Sequence, residues 1–498
     1  MMNNSIYLSW LLADFIAIPK ESDRLITGIA LDSRKVQPGD LFCAYQGYKE
    51  DGAKYIEAAI QNGAVAVICD DNKLERNCLV PLFFLANLHN IVGELAAKFY
   101  HYPAHKMTIV GVTGTNGKTS ITQFIARALA RFNKKCGVIG TLGIGFPDHL
   151  VATGLTTPDA ITIQKTLADL LQNGAEAVAV EASSHSLAQN RLEAVNPQIA
   201  VFTNLTRDHL DYHTTMKNYF SAKLKLFQML SVKFALINVD DEYASQLIQA
   251  LPEHVQAFGY SIEGKSLDIP MLTATKISIL SHGFTAEIKT PWGEGSFRSS
   301  LLGRFNIANL LAVLGVLCLM DINFKDALQS LEQLTTVPGR MVTIKISEET
   351  PLVVVDYSHT PDALEKALSV LHEHCSGKIW CVFGCGGDRD RGKRPIMGQI
   401  AERCSDHFII TNDNPRTEDP KQIVADILSG LAAPEKAVIE YDRGKAIRLA
   451  IHAADANDVV LIAGKGHENY QILGGETIHF DDVEEARAAL GQEHKIQH

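Results

Sequence analysis

The chain of 498 residues is short of several features, and each shortage excludes a class of protein. Its nine cysteines are odd in number and scattered. The closest pair, Cys381 and Cys385, has no second pair to complete a four-ligand zinc site, so the thiols read as small core residues in a reducing compartment. No uninterrupted apolar run reaches the ~18 residues of a membrane span, and even Asn309–Met320 is too short. The apolar patch in Met1–Lys20 is broken by Asp14, with no cationic region before it and no small-residue cleavage pattern after it. An amphipathic helix is expected there rather than a signal peptide, and a cytoplasmic location follows. An excess of positive charge is also missing: Lys+Arg 46 against Asp+Glu 57 leaves −11, which argues against broad binding of nucleic acid or anionic membrane. Any anionic ligand must be held by local groups. Low-complexity tracts and repeats of solenoid period are absent as well.

What is present is an ordinary globular composition, with 46% hydrophobic and 21% charged residues. At ~100–200 residues per domain the length allows two to four domains. The segment 1–88 alternates helical and strand patterns and includes the apolar run Ala64–Cys69 after the turn signal Asn62-Gly63, so it reads as a small α/β domain. A second domain, 89–336, shows a buried-type strand (TIVGV), a Gly-rich loop and a helical pattern over Ser120–Arg131. Further buried strands at Ala177–Val180, Ile199–Phe202 and Ala235–Ile237 predict a mostly parallel sheet, and Ile262–Phe297 reads as an antiparallel flank. A third domain, 337–498, repeats the α/β alternation with strands at Leu352–Val355, Ile379–Phe383, His407–Thr411 and Val459–Ala463. The fold class is therefore α/β, with a doubly wound sheet in the last domain.

The strongest chemical signal is the loop Gly114-Thr115-Asn116-Gly117-Lys118-Thr119 between strand and helix. Backbone N–H groups of such a loop bind phosphate, Lys118 reaches the terminal phosphates and the Thr119 hydroxyl suits Mg²⁺. The strict G-x4-G-K-[ST] spacing fails, because Val112 stands where the first glycine belongs. Glu181-Ala182-Ser183-Ser184-His185 follows the strand Ala177–Val180, where a carboxylate is placed to ligate Mg²⁺; a plain helix cap at Ser183 or Ser184 is the alternative. Asn204–His213 (NLTRDHLDYH) offers a hard-cation set that includes His209, or else a solvated loop.

In Tyr219–Leu230, Lys223 shares its helical face with Phe220, Phe227 and Leu230, whereas Lys225 lies with Ser221 and Gln228. A desolvated lysine has a lowered pKa, and its neutral amine can take up CO₂ as a carbamate; snorkelling to the helix end is the competing outcome. In the third domain four loops follow strands: Asp356-Tyr357-Ser358-His359, Gly384–Arg389, Asn412–Arg416 and Gly464–Glu468. Open α/β sheets bind ligands at that edge.

Together these motifs resemble the Mur ligase family, in its diaminopimelate-adding branch. The matching stretches run in order along essentially the whole chain: Asp32-Ser33-Arg34 with Pro38–Phe42, GTNGKT, Thr156-Thr157-Pro158, EASSH, DHLDYH, Ala222-Lys223, RFNIAN (Arg304–Asn309), PGRM, DYSHTPD, GCGGDRDRGKRP, DNPR and GKGHE. The resemblance implies a UDP-substrate domain, a central P-loop ATPase and a C-terminal Rossmann-like domain for the incoming amino acid. It implies an acyl phosphate made from ATP on the D-glutamate of UDP-N-acetylmuramoyl-L-Ala-D-Glu, then attack by the amine of meso-diaminopimelate.

Carried over by position, the catalytic set is Lys118, Glu181, His209 and Lys223, the last carbamylated, with Thr119, Glu181, His209 and Lys223 serving Mg²⁺. ATP would be held by Gly114, Thr115, Asn116, Gly117, Lys118, Thr119, Asn306, Arg340, Asp356 and His359. The UDP-linked dipeptide would meet Leu31, Ser33, Thr156, Thr157, Ser183, Gln189 and Arg191. Diaminopimelate would meet Arg389, Asp413, Asn414, Pro415, Arg416, Gly464 and Glu468, the planar fork of Arg416 suiting the distal carboxylate that lysine lacks. Tyr48-Lys49-Glu50 offers no distinctive motif. The partners implied are these substrates alone, with the protein a monomer. The rival readings are a sibling Mur or folylpolyglutamate-type ligase, and a nucleotide-dependent scaffold without ligation.

Overall fold

The computed structural model describes residues 5–47, 50–71 and 78–491, so Tyr48 and Lys49 lie outside the described residues. Within it the chain forms two compact units. The first comprises Met1–Thr273, Thr290–Trp292 and Asn309–Ala327; the second comprises Ala274–Lys289, Gly293–Ala308 and Leu328–His498.

The first unit opens with a four-stranded parallel sheet, ordered Gly28–Ala30, Asp40–Ala44, Ala66–Cys69 and Leu82–Phe84. Asp40–Ala44 and Ala66–Cys69 are wholly buried, as expected for central strands covered on both faces. Of the helix expected over Met1–Lys20, the described residues form only the α-helical turn Leu8–Leu11, after a two-residue strand at Ile6–Tyr7 that pairs with Leu25–Ile26. Leu8, Leu11 and Leu12 bury fully on one turn, which satisfies the apolar spacing, and Pro19 then disfavours helical geometry at Ile18.

The same unit contains a second parallel sheet. Across it the strands run Cys136–Gly140, Ala177–Glu181, Thr108–Thr113, Ile199–Phe202, Phe234–Asn238 and Gln256–Ser261. Thr108–Thr113 comes first in sequence yet lies in the middle. The chain next lays Cys136–Gly140 on one side, inserts Ala177–Glu181 between the two, and then crosses to the other side, so the strand order reverses at the C-terminal end of Thr108–Thr113, where open α/β sheets bind ligands. Register sets the chemistry: Glu181 pairs with Val112, and Phe202 with Thr113. Three strand ends thus deliver the Gly-rich loop, the Glu181 carboxylate and Thr203 to one edge.

The helix after the loop spans Lys118–Ala130 and packs Ile121, Phe124, Ile125, Ala128 and Leu129 inward. A fully buried aliphatic side chain contributes about 1.5–3 kcal/mol, so this face anchors the loop firmly. The helix carrying Lys223 is Met216–Phe227, with Thr215 as its cap. It buries Phe220, Lys223 and Phe227 and leaves Ser221, Lys225 and Gln228 exposed. Leu230, expected on the buried face, is 91% exposed because the helix ends at Phe227 and the period no longer holds beyond it. The expected antiparallel flank appears as Met271–Leu280, Gly283–Thr290 and Gly293–Ser299, neighbours in one sheet joined by two-residue turns.

The second unit holds a six-stranded sheet ordered Val342–Ile344, Leu352–Asp356, Val459–Ala463, Ile379–Phe383, His407–Ile410 and Val438–Ile439. All pairs are parallel except the first. The four strands whose following loops carry the sequence motifs are consecutive neighbours, so those loops meet at one sheet edge. Among the described residues no helix is long and apolar enough to cross a membrane.

Helices Lys393–Cys404 and Pro420–Leu428 approach closely at Gly398, where a Cβ would lie 2.6 Å from the Ile427 carbonyl oxygen. Gly398→Ala is expected to destabilise the protein by about 1–3 kcal/mol despite alanine's better helix propensity. A thermal melt checks this, and an unchanged or raised midpoint contradicts the close packing.

Candidate active site

The loop in the first unit is shaped by two contacts that demand glycine. Gly114 has φ 147°, and a Cβ there would fall 1.8 Å from the Thr203 Oγ1; at Gly117 it would fall 2.8 Å from the Asn309 Oδ1. Asn204 and Thr203 then pin the loop: the Thr115 N–H donates to the Asn204 carbonyl at 2.8 Å, the Asn116 N–H to the Asn204 Oδ1 at 2.9 Å, and the Thr203 hydroxyl to the Asn116 carbonyl at 2.6 Å. The Lys118 ammonium folds back on the loop, donating to the carbonyls of Gly114 and Thr115 at 2.9 and 2.8 Å. The loop lies at the positive end of the Lys118–Ala130 helix, a place suited to phosphate.

Glu181 is 1% exposed. It accepts from the Thr119 hydroxyl at 3.0 Å and from the Thr141 N–H at 2.8 Å, and the Thr141 hydroxyl lies 3.1 Å away. Burial raises its pKa, while the Lys118 charge and these donors oppose the rise. Thr119 and Glu181, two hard oxygen donors side by side at the loop, fit a hydrated Mg²⁺.

Lys223 is 1% exposed, and its Nζ donates to the Gly114 carbonyl at 2.7 Å while lying 4.5 Å from the Tyr219 ring centroid. Burial holds its pKa well below the usual lysine value, and the Lys118 charge adds to the effect. The snorkelling alternative is therefore excluded for Lys223. His209, at φ 52°, lies in an aromatic cluster whose ring centroids are 4.9 Å from His185 and 6.1 Å from Tyr219. His213 is buried, pairs its Nε2 with the Ser184 hydroxyl at 2.9 Å, and has its pKa pushed down to about 4 by burial and the nearby His185, His209 and Lys223. Among the described residues no three His, Cys, Asp or Glu side chains form a metal-binding group. Glu181 and His209 do not by themselves make a closed ligand set.

Five of the residues assigned to the UDP-linked substrate form one hydrogen-bonded network with this site. The Thr157 hydroxyl donates to the Glu181 carbonyl at 2.6 Å and lies 3.1 Å from the Ser183 hydroxyl, and the Thr156 hydroxyl lies 3.1 Å from that of Thr141. Arg191 donates to the Thr157 carbonyl at 2.9 Å and to the Gln189 Oε1 at 3.0 Å, and Gln189 reaches the Tyr212 hydroxyl at 3.1 Å. Ser183 also caps the helix Ser184–Ala188, so the capping alternative holds alongside its place in the network. Leu31 and Ser33 stand apart: Leu31 lines a cavity of about 450 Å³ with Asp32, Tyr100 and Lys165, and the Ser33 carbonyl accepts from Asn62.

In the second unit Arg340 lies 5.8 Å from the Tyr357 ring, and the His359 Nδ1 donates to the Tyr357 carbonyl at 2.9 Å. The half-buried Asp356 carboxyl accepts from the Met341 N–H at 2.8 Å and from the Ser358 hydroxyl. Asn306 donates to the Leu302 carbonyl at 2.8 Å. Across the sheet edge, Asn414 donates to the Glu468 Oε2 at 2.9 Å and accepts from the Lys465 Nζ at 3.1 Å. A Cβ on Gly464 would meet the Asp413 Oδ2 at 2.6 Å, and Pro415 is buried beside them. Arg416, at φ 55°, donates through Nη1 to the Gly387 carbonyl at 2.8 Å. Arg389 is exposed and donates to the Asp388 carbonyl at 3.3 Å. The strand-end loops thus bring Asp413, Asn414, Arg416, Gly464 and Glu468 together.

Residues 25–100 match the model described as Mur ligase family, catalytic domain; 112–317 match Mur ligase middle domain; and 339–466 match Mur ligase, glutamate ligase domain. The chain belongs to the Mur ligase family. It is 50% identical over 490 residues, 98% of this chain and 100% of the relative, to the UDP-N-acetylmuramoyl-L-alanyl-D-glutamate–2,6-diaminopimelate ligase of Coxiella burnetii. The protein of the same name from Vibrio vulnificus is 44% identical, covering 98% of this chain and 99% of its own. A solved structure of a ligase of that name matches with a TM-score of 0.76 at 38% identity, over 98% of this chain and 99% of its own.

Sequence reasoning missed Thr141, which grips Glu181 with both N–H and hydroxyl; its only signal is a polar residue between Gly140 and Gly143 after an apolar strand. It also missed Glu418, just beyond DNPR. Glu418 accepts from the fully buried Arg394 at 2.8 Å through both oxygens and from the Asp388 N–H at 3.1 Å, tying two loops of this Mur ligase together. Arg394 pulls the Glu418 pKa down to about 2. A carboxylate with a folded pKa below its unfolded value of ~4.3 contributes stability that is present above the latter and lost as pH falls through the former. Glu418→Gln is therefore expected to lower the melting midpoint at neutral pH, with the gap to the parent closing between about pH 4 and pH 2. A gap independent of pH would contradict the pairing.

Proposed function

We propose that this Mur ligase is an ATP-dependent amide synthase that joins meso-diaminopimelate to the D-glutamate carboxylate of UDP-N-acetylmuramoyl-L-Ala-D-Glu, with ADP and phosphate as the other products. The names of the full-length relatives support this substrate pair. The observation that most favours it is the juxtaposition, in the first unit, of a phosphate loop, the Thr119–Glu181 oxygen pair and the buried Lys223 amine.

A carboxylate is a poor acyl donor, and phosphorylation supplies the leaving group. Lys118 and the loop N–H groups would stabilise charge on the transferring phosphoryl group. Thr119, Glu181, His209 and Lys223 would hold Mg²⁺, which neutralises phosphate charge when bound. The depressed pKa of Lys223 favours the neutral amine that CO₂ converts to a carbamate, and that carbamate would add an oxygen ligand to those of Thr119 and Glu181. Gly114, Thr115, Asn116 and Gly117 would cradle ATP, with Asn306, Arg340, Asp356 and His359 as further nucleotide contacts. The network Thr156, Thr157, Ser183, Gln189 and Arg191, with Leu31 and Ser33, would receive the UDP-linked dipeptide.

The amino acid would be selected by Arg416. Its guanidinium suits bidentate capture of the distal carboxylate of diaminopimelate, while Arg389, Asp413, Asn414, Pro415, Gly464 and Glu468 complete the pocket. Lysine in that place leaves the Arg416 charge without a carboxylate partner, which disfavours it. We also propose the assignment of 1–88 to UDP-substrate binding, 89–336 to ATP and 337–498 to the amino acid.

The test supplies ATP, Mg²⁺ and UDP-N-acetylmuramoyl-L-Ala-D-Glu with either meso-diaminopimelate or L-lysine, and identifies the product by mass. A tripeptide with diaminopimelate alone is expected, and Arg416→Ala should lower kcat/KM for diaminopimelate by about 100-fold while leaving lysine unused or only slightly used. A lysine product from the parent protein would overturn the specificity, and phosphate release without an amide would favour a scaffold.

A further inference from the structure

The second unit contains a buried ion pair that the chemistry above leaves unused. Arg443 and Asp482 are both fully buried, and the guanidinium grips the carboxylate through Nε and Nη2 at 2.7 Å each. Such a pair is a weak source of stability, because desolvating both charges consumes most of their attraction and apolar residues of similar volume often do as well. Its position is more informative. The Arg443 Nη2 also donates at 3.0 Å to the carbonyl of Ala463, the last residue of its strand and the neighbour of Gly464. A Cβ on Gly464 would lie 2.6 Å from the Asp413 Oδ2 and 3.9 Å from the Arg443 Nη2, so carboxylate and guanidinium flank the same glycine. The Arg443 Nη1 is buried with no hydrogen-bond partner among the described residues. Lys465, also fully buried, completes the row by pairing with Glu468 at 3.4 Å.

We propose that Arg443, clamped by Asp482, is a positioning residue for amine recognition: it holds Asp413 as an oriented carboxylate for an ammonium group of the incoming amino acid. This deepens the reading of these loops as the diaminopimelate pocket and rests on it. Burial pushes the Asp413 pKa up; Arg443 and Lys465 oppose that rise, while Glu468 and Asp482 add to it. Without Arg443 a larger share of Asp413 is protonated, and a neutral acid does not pair with an ammonium.

The test is the double variant Arg443→Met with Asp482→Leu, which removes both charges at once and leaves neither buried alone. The expected result is a KM for diaminopimelate raised about tenfold or more, an acidic limb of the kcat/KM profile moved to higher pH, and KM values for ATP and the UDP-linked dipeptide within about twofold of the parent. A folded double variant with an unchanged KM for diaminopimelate overturns the inference. If that variant fails to fold, Arg443→Lys, which keeps the charge and loses the fork, should raise the same KM several-fold with the acidic limb unmoved; no change in KM overturns the inference here too. A parent protein that ligates no amine overturns the underlying function along with it, whereas parent activity with unaffected variants removes this inference alone.

Discussion

The contact between the Lys223 amine and the Gly114 carbonyl is the constraint around which the first unit's site is arranged. An ammonium in that place would lose its hydration with one carbonyl in return, so the neutral amine is favoured. The contact exists because a helix lies very close to the loop strand. Gly111 has no side chain, and a Cβ there would come within 2.9 Å of Leu226 on that helix. The missing side chain leaves room for Leu226, the same helix carries Lys223 to the loop, and the Lys223 Nζ donates to the Gly114 carbonyl. Thr203 and Asn204 fix the loop from the other side.

The second unit uses a different device. Its strand ends present loops rich in charge, and buried arginines hold those loops in shape. Arg394 spans Glu418, Asp426 and the Gly386 carbonyl, joining the GGDRDRGKRP and DNPR segments. Arg443 does the same for the strand that leads into GKGHE. Planar, permanently charged guanidinium groups suit this work, since each bridges several acceptors at fixed angles. The pocket walls inherit their order from these clamps.

Much of this was legible in the sequence, and the limits have physical causes. Apolar runs with β-branched residues gave the parallel strands, since a strand buried on both faces has no other pattern. The four chemistry-bearing loops of the last domain could be assigned to one sheet edge because each follows a strand in a parallel sheet. Helical spacing alone put Lys223 on the buried face. The same spacing misplaced Leu230, because period says nothing about where a helix stops, and it suggested a long first helix where Pro19 and one buried turn decide otherwise. Thr141 and the pairs Arg394–Glu418 and Arg443–Asp482 were beyond reach: their partners are distant in sequence, and only tertiary packing brings them together. Family resemblance supplied residue roles that spacing could not, the carbamate on Lys223 above all.

That carbamate is the central chemical claim, and it can be observed directly. Protein equilibrated with ¹³C-labelled bicarbonate and Mg²⁺ should show a slowly exchanging carbamate carbon resonance by NMR. The account predicts one such signal in the parent protein and its loss in Lys223→Ala, with the fold intact by circular dichroism. A parent protein without the resonance, or a variant that retains it, would contradict the assignment of Lys223.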